Sequence, residues 1–247
     1  MKLFRYSGGK SKLAGLYRLP DKPFDRIVEP YLGSGAFSLS HAHNVRALGY
    51  ELNEDLYDMW MWLKQTNEKE LLELYDYVED LKKQYEKPNL KQFPLANGPL
   101  TYLRVNVCSV MTGQLSSWSM YPQHKLPVKD TISCLPLLQN IEVTLGSGEN
   151  FQNKEKDLVF IDPPYVNTTG NYKSVKNKKL EKNYDPSNTV SLIDNLTCPV
   201  IFTYGTNAKE VFPQYEWEVV KEMKVPNIRK GGTVKRYEHV AYINYES

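Results

Sequence analysis

The residues best suited to chemistry lie in one tetrapeptide, Asp162-Pro163-Pro164-Tyr165. It offers a carboxylate, a backbone carbonyl held between two prolines, and an aromatic ring. That set suits an exocyclic amine on a nucleobase. Such a nitrogen carries two hydrogens and a lone pair delocalised into the ring. The Asp162 carboxylate and the Pro163 carbonyl could accept both hydrogens, localise the pair and make the nitrogen a nucleophile. The proline pair supplies the fixed dipole that electrostatic preorganisation needs, and Tyr165 can stack on the base. A base reached in this way must leave its duplex. A merely rigid loop would carry the same four residues, so their meaning depends on what positions them and on a place for a reactive donor.

Leu158-Val159-Phe160-Ile161, just before the tetrapeptide, reads as a buried strand that the two prolines stop. Ligands of open α/β sheets bind beyond the carboxyl ends of strands. The donor's place is expected earlier in the chain. Arg26-Ile27-Val28-Glu29-Pro30 reads as a strand, and Tyr31-Leu32-Gly33-Ser34-Gly35-Ala36-Phe37 as a glycine loop entering a helix over about 36–44. Residues 46–53 form a second strand with Glu51 near its end. This is the first βαβ unit of a nucleoside-binding fold. Glu51 lies 18 residues after Gly33 and could accept from both ribose hydroxyls. The full dinucleotide fingerprint fails, because Ser38 takes its last glycine position. A phosphate-binding P-loop at Gly9-Lys10-Ser11 fails too, because Phe4 stands where that motif needs glycine.

The remaining elements follow from periodicity. A short helix is expected over residues 12–19. Residues 54–86 carry Leu56, Met59, Trp60 and Leu63, then Leu71, Leu74, Tyr75, Val78 and Leu81, at helical spacing. A further helix over 101–113 ends at Gly113, and the polar, aromatic stretch 115–127 reads as a loop suited to hydrogen bonding and stacking on a nucleic acid. Residues 55–134 are therefore expected to form a mostly helical insertion, with 1–54 and 135–247 making the α/β domain. Strands follow at 141–145, 158–161 and 200–204, with a short helix at 190–196 between the last two. The final two strands, 216–225 and 237–245, are expected to pair as an antiparallel edge hairpin. Residues 166–187 are expected to loop over the site with their lysines aimed at phosphate.

Composition sets the bounds. The chain has 247 residues, 41% of them hydrophobic and a net charge of +2. That is ordinary for a globular protein and announces no polyanion partner by bulk charge. The charge is distributed unevenly: residues 51–80 hold ten acids and two lysines, while basic groups gather at 2–12, 173–182 and 229–236. No apolar run is long enough to span a bilayer, and the opening MKLFRYSGGKSKL lacks a signal peptide's apolar core. Cys108, Cys134 and Cys198 have no metal-like or disulfide-like spacing, so a reducing cytoplasm and no metal are expected.

Five motifs in order carry a resemblance. FRYSGGK, VEPYLGSGAF, YELN, VFIDPPY and EHVAYINY resemble, respectively, the Y-x-G-G-K, E-P-F-x-G-S-G, D-I-N, D-P-P-Y and closing E-x-x-x-x-N-Y motifs of Dam-like (D12 class) N6-adenine DNA methyltransferases. The resemblance implies a Rossmann-like sheet, mostly parallel with an antiparallel C-terminal hairpin, and a helical target-recognition insertion. It implies S-adenosyl-L-methionine as cofactor, double-stranded DNA as partner, direct methyl displacement, and neither metal nor membrane. Oligomeric state stays open between monomer and weak dimer. Tyr6 and Lys10 would contact the methionine part, with Glu29, Pro30, Gly33, Ser34, Gly35 and Phe37 lining the pocket, and Glu51 and Asn53 at the ribose. Asp162, Pro163, Pro164 and Tyr165 would bind and activate the adenine, Asp162 also bordering the cofactor.

The family's adenine-contacting Asp-Phe corresponds here to Asn150-Phe151, with Glu149 beside it. Arg104 and Asn106 keep an R-x-N spacing of the family's recognition segment, and Ser117, Trp118, Lys125, Lys173, Lys176 and Arg236 complete the expected DNA-binding set. The continuation after Asn106 departs from the family, so the target sequence is undetermined. Amino-methylation of cytosine N4 in DNA, or of adenine in RNA, uses the same tetrapeptide. An inactive DNA-binding relative is the alternative from another class.

Overall fold

The computed structural model describes residues 3–6, 9–108, 115, 117–166, 184–226 and 233–245. Seven strands, β1 (Arg26–Glu29), β2 (Arg46–Glu51), β3 (Ile141–Leu145), β4 (Asp157–Ile161), β5 (Val200–Tyr204), β6 (Glu218–Pro226) and β7 (Thr233–Ile243), form one sheet. Its order is β3-β2-β1-β4-β5-β7-β6. The first five run parallel, and β7 pairs antiparallel with both β5 and β6. The expected hairpin is therefore present, and it is longer at its tip than the alternation suggested.

The two central strands explain the architecture. Every residue of β4 and β5 is buried, as their unbroken apolar runs require when both faces of a parallel sheet are covered. Alternation sorts the side chains. Ile27, Leu158, Phe160 and Ile201 join one core cluster, whereas Val28, Val159, Ile161 and Phe202 join the other. Arg26 Nε and Nη2 donate to Asp157 Oδ1 and Oδ2 at 2.9 and 2.7 Å, clamping β1 to β4 at their amino ends, opposite to where ligands bind.

The helices are α1 (Ala36–His41), α2 (Glu54–Gln65), α3 (Glu68–Gln84), α4 (Asn97–Leu103), α5 (Val128–Cys134), α6 (Pro186–Asp194) and α7 (Ala208–Val211). Asn53 Oδ1 accepts from Asp55 N, and Asn67 Oδ1 from Glu70 N, so each caps its helix. The expected helix over 12–19 shrinks to one 3-10 turn, Ala14–Leu16. α5 and α7 were not expected: both are a single turn or two, too short for a periodic signal. Leu71, Leu74 and Val78 of α3, Tyr102 and Leu103 of α4, and Cys134 of α5 share the cluster that contains Ile27 and Phe160. The helical segment thus builds on one face of the sheet. No described helix is long and apolar enough to cross a membrane.

Candidate active site

The chain leaves β1 in one direction across β2 and β3, and β4 in the other across β5, so the sheet switches direction between β1 and β4. That switch brings the loop after β1 beside the loop after β4, and ligands of α/β sheets bind in this crevice. A cavity of about 360 Å³ occupies it, bordered by Gly33, Glu51, Gly148, Glu149, Asp162 and Pro164 among others. The size suits a nucleoside-sized ligand.

On the β1–β2 side the backbone makes the room. Gly33 and Gly35 have φ of +48° and +55°, in the left-handed region that L side chains avoid. A Cβ on Gly33 would stand 2.7 Å from the Tyr6 ring, and one on Gly35 2.9 Å from Trp60. The indole Nε1 of Trp60 donates to Gly33 O at 3.0 Å and pins the loop. Glu29, at the end of β1, accepts from Ser38 N at 2.7 Å and so receives the first turn of α1. Burial pushes its carboxyl up to about 8, against the Ser38 bonds. Glu51 accepts from Asn53 N at 2.8 Å. Burial pushes it up to about 7, against bonds from the Asn53, Gly33 and Leu52 backbone.

The β4 side is differently charged. Lys10 is only 4% exposed, and its Nζ donates to Asp162 Oδ1 at 2.9 Å, Glu238 Oε1 at 3.1 Å and the Tyr165 hydroxyl at 2.7 Å. Burial works against the ammonium, but Asp162, Tyr165 and Glu238 outweigh it and hold Lys10 well above its ordinary range. Asp162 also accepts from Thr203 Oγ1 at 3.3 Å. Burial raises its carboxyl, against the pull of Lys10. The Tyr165 ring packs on Tyr204 with centroids 4.6 Å apart. Gly205 lets the ring lie close to the backbone, since a Cβ there would stand 3.0 Å from it, tighter than ordinary contact. Phe37 of α1 stacks on Phe160 of β4 at 4.3 Å and 8°, fixing the floor between the two sides.

Of the residues expected at the cofactor, Tyr6, Lys10, Glu29, Pro30, Gly33, Ser34, Phe37, Glu51, Asn53 and Asp162 border the cavity. Three do not. Gly35 is buried beneath Trp60 and shapes the turn. Asn150 ends a 3-10 turn away from the lining, and Phe151 packs on Tyr50 with centroids 6.1 Å apart. Glu149 takes the place expected of Asn150, accepting from the Tyr31 hydroxyl at 3.2 Å and from Asn188 Nδ2 at 3.3 Å. Lys10 borders the cavity, but its ammonium turns to the tetrapeptide rather than toward the glycine loop.

The expected DNA set divides more sharply. Arg104 and Asn106 are 2% and 0% exposed, which overturns a DNA-contacting role for them in this arrangement. They lie in a π-helical turn, Arg104–Cys108. The burial is continuous with the end of α4, since residues 101–108 are all buried. Arg104 donates to the carbonyls of Leu115 and Ser117, while Asn106 accepts from Arg5 N and donates to Tyr102 O. Ser117 and Trp118 are half-buried, whereas Lys125 and Arg236 are exposed. The Trp118 ring has the Arg104 guanidinium 4.0 Å and Lys91 Nζ 5.2 Å from its centroid. Lys173, Lys176, most of the expected 166–187 loop, the helix end at Gly113 and the basic turn at 229–232 lie outside the described residues.

Sequence reasoning missed Tyr31, Tyr184 and Asn188 at the cavity. The Tyr31 and Tyr184 hydroxyls both meet Thr189 Oγ1 at 2.9 Å. The signal was available in part: Asp185-Pro186 is a helix start, which would have brought Tyr184 to the site end of α6.

A parallel sheet with an antiparallel seventh strand between β5 and β6, and its cavity at the carboxyl ends of β1, β2 and β4, is the class I methyltransferase fold. No family model matches the chain, and no curated protein matches it. Among solved structures it is similar to the C-terminal domain of precorrin-6Y C5,15-methyltransferase from Rhodobacter capsulatus. The identity is 11% and the TM-score 0.41, over 97% of this chain and 94% of that one. It is also similar to a proposed rRNA methylase from Clostridium thermocellum, with 8% identity and a TM-score of 0.38 over 91% of each chain. The fold assignment rests on the strand order itself.

Proposed function

We propose that the chain is an S-adenosylmethionine-dependent methyltransferase acting on the N6 amino group of adenine in DNA. The observation that carries this reading is the single cavity joining Glu51 and the glycine loop to Asp162 and Pro164. It unites a nucleoside-binding end with an amine-activating end. The fit of the cofactor is supported by chemistry on the first side. Two buried carboxylates, Glu29 and Glu51, accept backbone N–H bonds there and have no cation against them among the described residues, which suits a ligand bearing positive charge.

S-adenosylmethionine supplies a methyl carbon on a sulfonium. Glu51 would accept the ribose hydroxyls, and the glycine loop would admit the ligand backbone closely. Glu149, Tyr31 and Asn188 would meet the adenine moiety. At the other end, Asp162 and the Pro163 carbonyl would take the two hydrogens of the target amine, while Tyr165 covers the base. Lys10 holds Asp162 and Tyr165 in one arrangement before the base arrives, so little reorganisation is left for the reaction. Closely placed reactants and lone-pair localisation then supply the rate. The target must be extruded from the duplex to reach this depth. Exposed Lys91, Lys125 and Arg236 would hold phosphates as it does so.

The test is incubation with labelled S-adenosylmethionine and unmethylated DNA containing adenine in varied contexts, followed by nucleoside analysis. N6-methyladenine is expected. Absence of any labelled nucleoside overturns the reading, and N4-methylcytosine, or label in RNA alone, transfers the same chemistry to another substrate.

A further inference from the structure

Glu238, on β7, stands outside the cavity lining yet is joined to its reactive end. It is 4% exposed and accepts from Lys10 Nζ at 3.1 Å and from the Tyr17 hydroxyl at 3.4 Å. An ammonium has three N–H donors, and Lys10 spends them on Asp162, Tyr165 and Glu238. The groups facing Glu238 are thus Lys10 and Tyr17 from the N-terminal segment, and Asp162 and Tyr165 from the loop after β4. Its register neighbour on β6 is Lys221. Two ionised carboxylates around one ammonium leave a buried surplus of one negative charge. A cluster in that state takes up a proton readily.

Methylation of an amine must dispose of a proton. The nitrogen bonds to the methyl carbon, the carbon–sulfur bond breaks with its pair on sulfur, and one N–H bond breaks with its pair returning to nitrogen. We propose that Glu238 is a positioning residue for Lys10 and the store for this proton. Asp162 takes the proton from the amine, Lys10 passes one of its own to Glu238, and Asp162 returns its proton to Lys10. The cluster ends with an aspartate, an ammonium and a carboxylic acid at Glu238, so protons and charge balance. Release to solvent resets it before the next turnover. The inference rests on the amine-methylation reading above. It is supported by burial, which pushes the Glu238 carboxyl up to about 7 against the attraction of Lys10.

Glu238 must be ionised to accept, so the rate of transfer is expected to rise with pH through about 7 and then level. The experiment is rapid-quench single turnover of enzyme pre-bound to labelled S-adenosylmethionine, with excess unmethylated duplex DNA, across that range. Glu238→Gln keeps an acceptor for Lys10 but stores no proton. It is expected to slow transfer about tenfold or more and to lose the rise near neutrality, with cofactor affinity by calorimetry preserved. An unchanged rate overturns the proposal, as does a slower rate that keeps the same pH rise, which marks a structural role. Tyr17→Phe covers the case of an unstable Glu238→Gln. It removes one bond to the ionised carboxylate, so the rise should move to higher pH, and an unmoved rise overturns the proposal. A wild-type protein that methylates no amine defeats the amine reading and this inference with it, whereas wild-type activity with an unaltered Glu238→Gln profile defeats the inference alone.

Discussion

The two ends of the cavity solve opposite electrostatic problems. At the β1–β2 end, Glu29 and Glu51 are buried, held by backbone N–H groups, and pushed up to about 8 and about 7 by burial. At the β4 end, half-buried Asp162 and buried Glu238 flank an ammonium that is already in place. On the proposed reading, the first end would be completed by the sulfonium of the bound donor. The second is assembled beforehand, so that, on the proposed reading, a neutral base would meet fixed acceptors. The proposed pairing of a charged donor with an uncharged amine would need this asymmetry, because a cation built into the donor end would repel the donor.

The largest test of the contrast is Asp162→Ala. Transfer in a single turnover should fall about a thousandfold, the scale of losing a preorganised transition-state contact, while calorimetric affinity for S-adenosylmethionine holds within about threefold. Loss of cofactor binding instead would place Asp162 at the wrong end. Gly33→Ala addresses the donor end. Its φ of +48° and a Cβ 2.7 Å from the Tyr6 ring should weaken cofactor binding about ten- to a hundredfold, as roughly 1–3 kcal/mol of strain would. Transfer from the saturated complex should change far less.

A smaller effect separates the ends by pH. Folded Glu29 and Glu51 titrate near 8 and 7, above the unfolded value of about 4.3. Their contribution to stability is therefore complete below that unfolded value and lost as the pH rises through about 7 and about 8. The melting temperature of the ligand-free protein should fall over this range by several degrees. Saturating S-adenosylmethionine should flatten the fall, and S-adenosylhomocysteine, which lacks the sulfonium charge, should flatten it less. Equal slopes with all three would show that the donor end does not answer to charge.

Much of the frame is legible from residue order. β4 and β5 announce themselves as unbroken apolar runs, and the glycine loop by its paired glycines between a strand and a helix. The site was legible where it lay in such loops, at Gly33, Glu51 and Asp162. It was illegible where one residue's place depends on a distant segment. Gly148 is an example: a Cβ there would stand 2.5 Å from the Pro30 backbone, a contact between two loops that no local pattern reveals. Arg104 and Asn106 misled for a related reason. Their R-x-N spacing resembled a recognition segment, but the whole stretch 101–108 packs inside the fold.

The sequence by itself determined which segments become strands, which loops are glycine-shaped, and that a carboxylate, two prolines and a tyrosine end a buried strand. These depend on interactions within a few residues, through hydrogen-bond periodicity and backbone sterics. Only the tertiary structure decided that Lys10 and Glu238, from opposite ends of the chain, meet at Asp162. Strand order and β7 insertion set that meeting, and both follow from burying two faces of one sheet rather than from any local preference.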